Sequence, residues 1–313
     1  MPDKDAMHID RALTNISVRY DNAAYVGEVM FPILPVKKES DKYFIYGKEH
    51  YNRHGTLRAD GTEANDFDWS LTTASYACDE YALRAPVTDR EKANADSPIS
   101  PDIDTTEMLT DAIKLDWEVR AQTVASAAAS FATGHSAAAT TQYNNSTGTV
   151  QADILLGQET VRRSVQKYPN HIFISSRVAM YIAQNAAIQN MIRYTHDNML
   201  LQGPDQAWVL PPSLWGMKVV VMMSVQNTAN IAQTESLSDI WDDTIILAYI
   251  APSPGLKRIT WGYTIQSRPW QTKKWREEAR SASLVEVSTI RDLKIISTGC
   301  AYKITDTLAA AYE

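Results

Sequence analysis

Few side chains in this sequence stand at spacings that support chemistry. His50 and His54 are four apart, the separation at which two imidazoles on one helical turn can hold zinc. The surrounding segment is rich in turn formers, and the order Glu49-His50 does not make an H-E-x-x-H pattern, so they read as two exposed loop histidines. Cys78 and Cys300 are the only cysteines, and neither lies in a C-x-x-C arrangement. That excludes a disulfide framework or a zinc ribbon, while a single bond between them stays open. They read as reduced thiols packed like small hydrophobes. No nucleophile signature flanks either one, and His135, His171 and His196 are remote in sequence. Neither G-x-x-x-x-G-K-[ST] nor G-x-G-x-x-G occurs, so both phosphate-cradling loops are missing. The expectation is a chain with no catalytic residue, no cofactor and no metal, and therefore not an enzyme.

One cluster combines basic and aromatic residues: Trp270, Lys273, Lys274, Trp275 and Arg276. Bases could stack on the indoles while the cations neutralise phosphates. Glu277 and Glu278 follow at once, however, and Trp with Arg also marks protein interfaces. An interface or inner-surface cluster is the better reading. The sequons at Asn144 and Asn145 matter only in a secreted chain.

These residues are carried by 313 positions with 44% hydrophobic and 21% charged residues, enough to fill a core and to exclude wholesale disorder. Thirty Lys+Arg against 37 Asp+Glu give a net charge of −7, which argues against tight nucleic-acid binding over the whole surface. No apolar run approaches a membrane span, and the N-terminus lacks a secretory pattern, so a soluble, cytoplasmic-type chain is expected.

Residues 1 to about 30 read as an arm, with Ile9, Leu13, Ile16 and Val18 sparse and without helical period. Between Lys37 and Asp68 both charges alternate with β-forming Tyr43, Phe44, Ile45 and Tyr46. Gly47, Gly55 and Arg58 to Glu63 supply turns, so a long hairpin should project from a core it cannot itself form. Leu109, Ile113, Trp117, Ala121, Val124, Ala128 and Phe131 recur at helical spacing and predict a long helix over about 105–132. Asp104 with Glu107 suggests its capping box, and Pro98 and Pro101 suggest that it starts no earlier. Downstream the spacing predicts helices over 152–168 and 177–187. Strands are predicted over 171–175, 218–225, 244–251, 258–265, 284–289, 293–297 and 301–305, the texture of a compact α/β module.

From Phe31 to Phe131 the chain resembles the major capsid proteins of tailed bacteriophages, which share the HK97-type fold. The stretches that carry the likeness are Phe31 to Lys38, Ser40 to Phe44, Gly61 to Ala64, Cys78 to Ala82 and Asn94 to Pro98, leading into the long helix. The resemblance implies an α+β, HK97-like fold in four parts. Residues 1–36 would be the N-terminal arm and 37–75 the extended loop. Residues 76–139 with 275–313 would form a peripheral domain around the spine helix, and 140–274 an axial domain. It implies a structural protein that assembles as pentamers and hexamers into an icosahedral phage head around double-stranded DNA. Partners would be copies of itself, portal and scaffolding proteins, a decoration protein and weakly held DNA, with no membrane. The place would be the virion, assembled in the bacterial cytoplasm. Lys42, Tyr43, Phe44, Tyr46, Arg58 and Glu63 are the expected inter-subunit contacts. Leu109, Ile113, Trp117, Val124 and Phe131 are the expected core of the spine. An encapsulin-like compartment with the same fold is the first rival, and an α/β enzyme the second.

Overall fold

The computed structural model describes residues 22, 25–95, 99–145, 149–185, 188–189, 210–230, 233–255 and 258–309. The apolar positions expected in the arm, Ile9 to Val18, and His196 lie outside them. In chain order the elements are α1 (Gly27–Met30), β1 (Ile33–Pro35), β2 (Ser40–Tyr46), β3 (Leu71–Ala77), β4 (Asp79–Thr88), α2 (Asp89–Asn94) and α3 (Pro101–Ser126). Then come β5 (Ser136–Ala138), α4 (Val150–Val165), β6 (His171–Ser175), α5 (Ser176–Gln184), β7 (Ser213–Leu214), β8 (Met217–Met222) and β9 (Val225–Asn227). The last are β10 (Leu237–Asp239), β11 (Ile245–Ala248), β12 (Gly262–Glu277), β13 (Ala282–Ile295) and β14 (Ala301–Thr305).

Two sheets organise the molecule. A six-stranded sheet runs β5-β14-β11-β6-β8-β7, and β11 at its centre is buried at every position. Helix α4 lies against β14 and β11, where Gly157 permits the approach: a Cβ there would stand 2.6 Å from Leu247 Cδ1. A four-stranded sheet runs β1-β12-β13-β4, dominated by the long β12–β13 hairpin from Gly262↔Ile295 to Glu277↔Ala282. Spine helix α3, about 39 Å long at about 1.5 Å per residue, crosses β4 and β13. Trp261 fills the seam between the two sheets. It is fully buried, donates Nε1–H to Ser130 O at 3.1 Å, and packs on Phe31 and Phe131 at 5.0 and 5.5 Å.

Several sequence expectations need correction. The spine helix starts at Pro101, not near 105, because proline at the first helical position gives up an amide that has no partner there anyway. It ends at Ser126, where Ala127 turns extended, so Ala128 and Phe131 lie beyond it, although Phe131 is still buried. The expected box at Asp104 and Glu107 falls inside the helix, and the capping box present is Thr88 with Glu91, on α2. The strand placed over 258–265 begins only at Gly262 and extends to Glu277. Residues 284–289 and 293–295 belong to one strand, β13, and 296–297 fall past its end. Sheet membership also cuts across the expected partition. The 274/275 boundary falls inside β12, and β14, assigned with 275–313, pairs with β11 in the six-stranded sheet.

Candidate assembly interface

Among the described residues strand β2 pairs only with β3, in register from Ser40↔Ala77 to Tyr46↔Leu71, as a two-stranded ribbon outside both larger sheets. Strand alternation puts Lys42, Phe44 and Tyr46 on one face with Leu71. Phe44 is 62% exposed and Trp69, stacked on Tyr46 at 6.1 Å, is 60% exposed. Aromatic side chains favour the extended backbone here, but one partner strand cannot bury them. The result is an exposed apolar face on a projecting element, the pattern of a surface built to be covered.

The segment between the strands is held by local contacts. Tyr51 N–H donates to Lys48 O at 2.9 Å, Asn65 Nδ2 to Gly55 O at 2.6 Å, and Thr62 N–H to Ala59 O at 3.2 Å. Arg58 donates from Nε to Thr62 O, closing its own turn, and Glu63 is exposed beside it. His54 packs edge-on against Phe67 at 4.9 Å, with a ring nitrogen 3.2 Å from Glu49 O, so it serves the loop's own packing. At its base the ladder continues with Cys78 N–H donating to Glu39 O at 2.8 Å, and Ala77 N–H reaches Asp292 Oδ2 on β13 at 3.3 Å. At the other end, just past β2, Lys48 Nζ donates to Ser164 O at 2.8 Å, in the last turn of α4. Of the six expected contact residues, Tyr43 differs from the rest. It is half-buried on the opposite face near Asp292, where burial raises its phenol pKa.

On the spine, Ile113 and Trp117 are buried, while Leu109 and Val124 are half-buried. The Trp117 ring meets the Arg291 guanidinium at 3.9 Å and the edge of Tyr81 at 5.8 Å. Arg291, 1% exposed, has Trp270 on its other side at 5.1 Å and Glu28 at 3.5 Å. Burial pulls its pKa down to about 10, which leaves it charged at neutral pH.

The basic cluster is divided and already neutralised. Lys274 pairs with Asp102 at 2.6 Å, and Lys273 with Glu286 at 3.6 Å. Arg276 grips Asp89 with two 2.8 Å bonds and reaches Glu278 at 2.9 Å. Trp270 faces Arg291, and Trp275 is 38% exposed. Cations matched within the chain release few counterions on meeting phosphate, so the strand favours the interface reading.

The thiols are unactivated. Burial pushes Cys300 up to about 11, and burial followed by Asp292 raises Cys78, whose Sγ lies 3.6 Å from Ile265 O. His135 is buried with Nδ1 2.9 Å from Ala301 O, and His171 has Nδ1 2.9 Å from Asn170 Oδ1. Among the described residues no group of three or more His, Cys, Asp and Glu is placed to hold a metal. No described helix is long and apolar enough to cross a membrane.

Sequence reasoning missed two residues. Arg291 looked like one charge among many in a strand. Glu118 is 1% exposed and accepts four hydrogen-bonding partners, described below. A signal existed for Glu118, since it stands three and seven residues before Ala121 and Ala125 on the buried stripe.

No protein-family model matches the chain. The major capsid protein of Burkholderia phage BcepMu is 24% identical over 315 residues, covering 95% of this chain and 96% of that protein. The major capsid protein of Pseudomonas phage JBD67 is 29% identical over 128 residues, 41% of each. Among solved structures, a phage-related protein from Bordetella bronchiseptica superposes with a TM-score of 0.66 at 18% identity, covering 92% of this chain and 94% of that one. The capsid of cyanophage P-SCSP1u superposes with 0.62 at 10% identity, covering 96% and 93%.

The architecture is therefore the α+β, HK97-type fold of tailed-phage capsid subunits. With curated relatives named as major capsid proteins, one of them similar from end to end, the chain's role is structural, in a phage capsid. These relatives do not favour the cargo compartment.

Proposed function

We propose that this chain assembles as pentamers and hexamers into an icosahedral phage head that encloses double-stranded DNA. The observation that carries the lateral contact is the two-stranded β2–β3 ribbon, with Phe44, Tyr46 and Trp69 exposed on it. Its apolar area is available to a neighbour, and heterologous contacts of this kind close into rings by rotation. Lys42, Phe44 and Tyr46 on the strand, with Arg58 and Glu63 near the tip, make that contact, while Tyr43 anchors the ribbon to its own body.

Residues up to about 36 act as an arm, and about 37–75 as the extended loop. The four-stranded sheet with α3 is the peripheral unit, and the six-stranded sheet with α4 and α5 the axial unit. The role is not enzymatic. Portal, scaffolding and decoration proteins are the further partners, and assembly takes place in the bacterial cytoplasm before the protein resides in the virion. DNA is contacted weakly and without sequence preference, in keeping with the −7 net charge and the self-paired strand at Lys273 to Arg276.

Negative-stain microscopy of the purified protein tests this reading: closed shells are expected, with DNA inside particles recovered from infected cells. Monomer alone in sedimentation, at high concentration, across salt and with candidate scaffolds, would overturn it.

A further inference from the structure

Asn22 and the segment from Tyr25 to Phe31 touch three parts of the fold. Asn22 exchanges two hydrogen bonds with the backbone of Val225, donating from Nδ2 to its carbonyl at 2.8 Å and accepting its amide at 3.2 Å. Val26, Met30 and Phe31 are buried. Past them, Thr264 Oγ1 donates to Phe31 O at 2.9 Å, and β1 joins the edge of β12.

Glu118 of α3 lies at the middle of this crossing. Its carboxylate accepts the amides of Val26 at 3.1 Å and Gly27 at 2.7 Å, the indole N–H of Trp241 at 2.8 Å and the hydroxyl of Ser224 at 3.3 Å. No described cation forms an ion pair with it. A carboxylate buried in this way is costly unless its lone pairs are matched by donors. Gly27 marks the closest approach: a Cβ there would stand 2.9 Å from Glu118 Oε2 and 3.0 Å from Ala121 Cβ.

We propose that Asn22 and residues 25–31 form a strap that sets the angle between the two sheet units, and that Glu118 is its positioning residue. The four donors come from different places. Two are amides at the start of α1, which have no partner inside a helix so short. The other two, on Ser224 and Trp241, belong to the segments flanking β9 and β10, beside the six-stranded sheet. The carboxylate is satisfied only when strap, spine and that side of the fold meet in one arrangement, and any slip leaves a buried charge short of donors. The strap then delivers β1 to β12 in fixed register. Its consequence for shells rests on the capsid function proposed above: copies of one chain packed in rings need a reproducible angle between their two units.

Amide hydrogen exchange on the full chain tests the strap. Glu118→Gln keeps the shape but turns one acceptor into an NH2 facing donors. The amides of Val26 and Gly27 should then exchange at least about tenfold faster, while those of Ile172 and Ile246 in the six-stranded sheet stay unchanged. Gly27→Val should do the same from the other side, and the double variant should exchange no faster than either single one. Both variants should give fewer or irregular shells. Unchanged exchange at Val26 and Gly27, or equal acceleration at Ile172 and Ile246, overturns the positioning role. Fast strap amides with normal shells overturn its link to assembly. A wild-type chain that forms no shells counts against the capsid function alone, since the exchange result stands without it.

Discussion

Tyr43-Phe44-Ile45-Tyr46 and His171-Ile172-Phe173-Ile174 are nearly alike in apolar and aromatic content, yet the first lies in an exposed ribbon and the second is the core of a sheet. Both form strands, as their side chains require. What separates them is the number of neighbours. β6 has β11 on one side and β8 on the other, with α5 packed on it, whereas among the described residues β2 has β3 alone. Burial is thus a property of non-local pairing. The apolar area that β6 buries inside the chain, β2 leaves exposed.

Alanine at matched positions gives the largest expected contrast. Phe173→Ala should cost about 3–5 kcal/mol in denaturant unfolding, because the ring is fully buried. Phe44→Ala should change monomer stability by about 0.5 kcal/mol or less while impairing shells in the microscope. A loss at Phe44 as large as that at Phe173 would end the distinction.

Trp117→Ala sharpens it on the spine. Removing a 3%-exposed indole should cost about 3–5 kcal/mol and also strip Arg291 of its stacking partner. A soluble variant with an unchanged melting temperature would show that this helix face is not core.

Replacing residues 47–70 with a short Gly-Ser turn should lower the melting temperature only modestly, since it removes the exposed bond from Lys48 to Ser164 but keeps the tie of Ala77 to Asp292. Shells should be lost. Normal shells would remove the ribbon from the interface, and global unfolding seen by circular dichroism would place it in the core.

The smallest effect concerns the surface pairs at the far end of β12. Hydrogen bonds from Arg276 hold Asp89 below the usual carboxylate range, and those from Lys274, then Lys92, do the same for Asp102. Both folded pKa values are depressed. Their stabilisation is therefore full above the unfolded value near about 4 and is lost as pH falls through the depressed values. A melting temperature flat from about pH 7 to 5 and declining below about 4, less steeply in high salt, is expected. Arg276→Glu should flatten the part of the decline that Asp89 supplies.

Local rules made some of this fold legible and left the rest invisible. β6 and β14 are bounded in the sequence as they are in the structure, because each is a short apolar run between turn formers. The start of α3 was obscured because Pro101 signals either a barrier or a first turn, and only the conformation of Ser100 decides between them. β12 was cut short because Pro269 and the charges after it look like loop, whereas β13 pairs with it on both sides of register shifts at Gln266/Arg268 and Arg268/Gln271 and so holds it extended. That β14 belongs with β11 rather than β13 is a pairing over more than 50 residues, and no local pattern encodes it. In the ribbon, alternation showed that the strand carries aromatics, but which of them turn inward, as Tyr43 does, depends on the body beneath. Glu118 was passed over because a carboxylate on a helix is normally a solvated one.

The two thiols have a practical consequence. Cys300 is buried and stays protonated at neutral pH, and Cys78 is half-buried with its ionisation suppressed as well. Alkylating probes need thiolate, so the native chain offers them a nearly silent background. A single cysteine introduced at Leu57, which is 94% exposed in the ribbon, would be the fastest-reacting position. A fluorophore or cross-linker could then be placed on the ribbon without first removing either native cysteine, and under the proposed assembly its loss of reactivity would clock the closing of the shell.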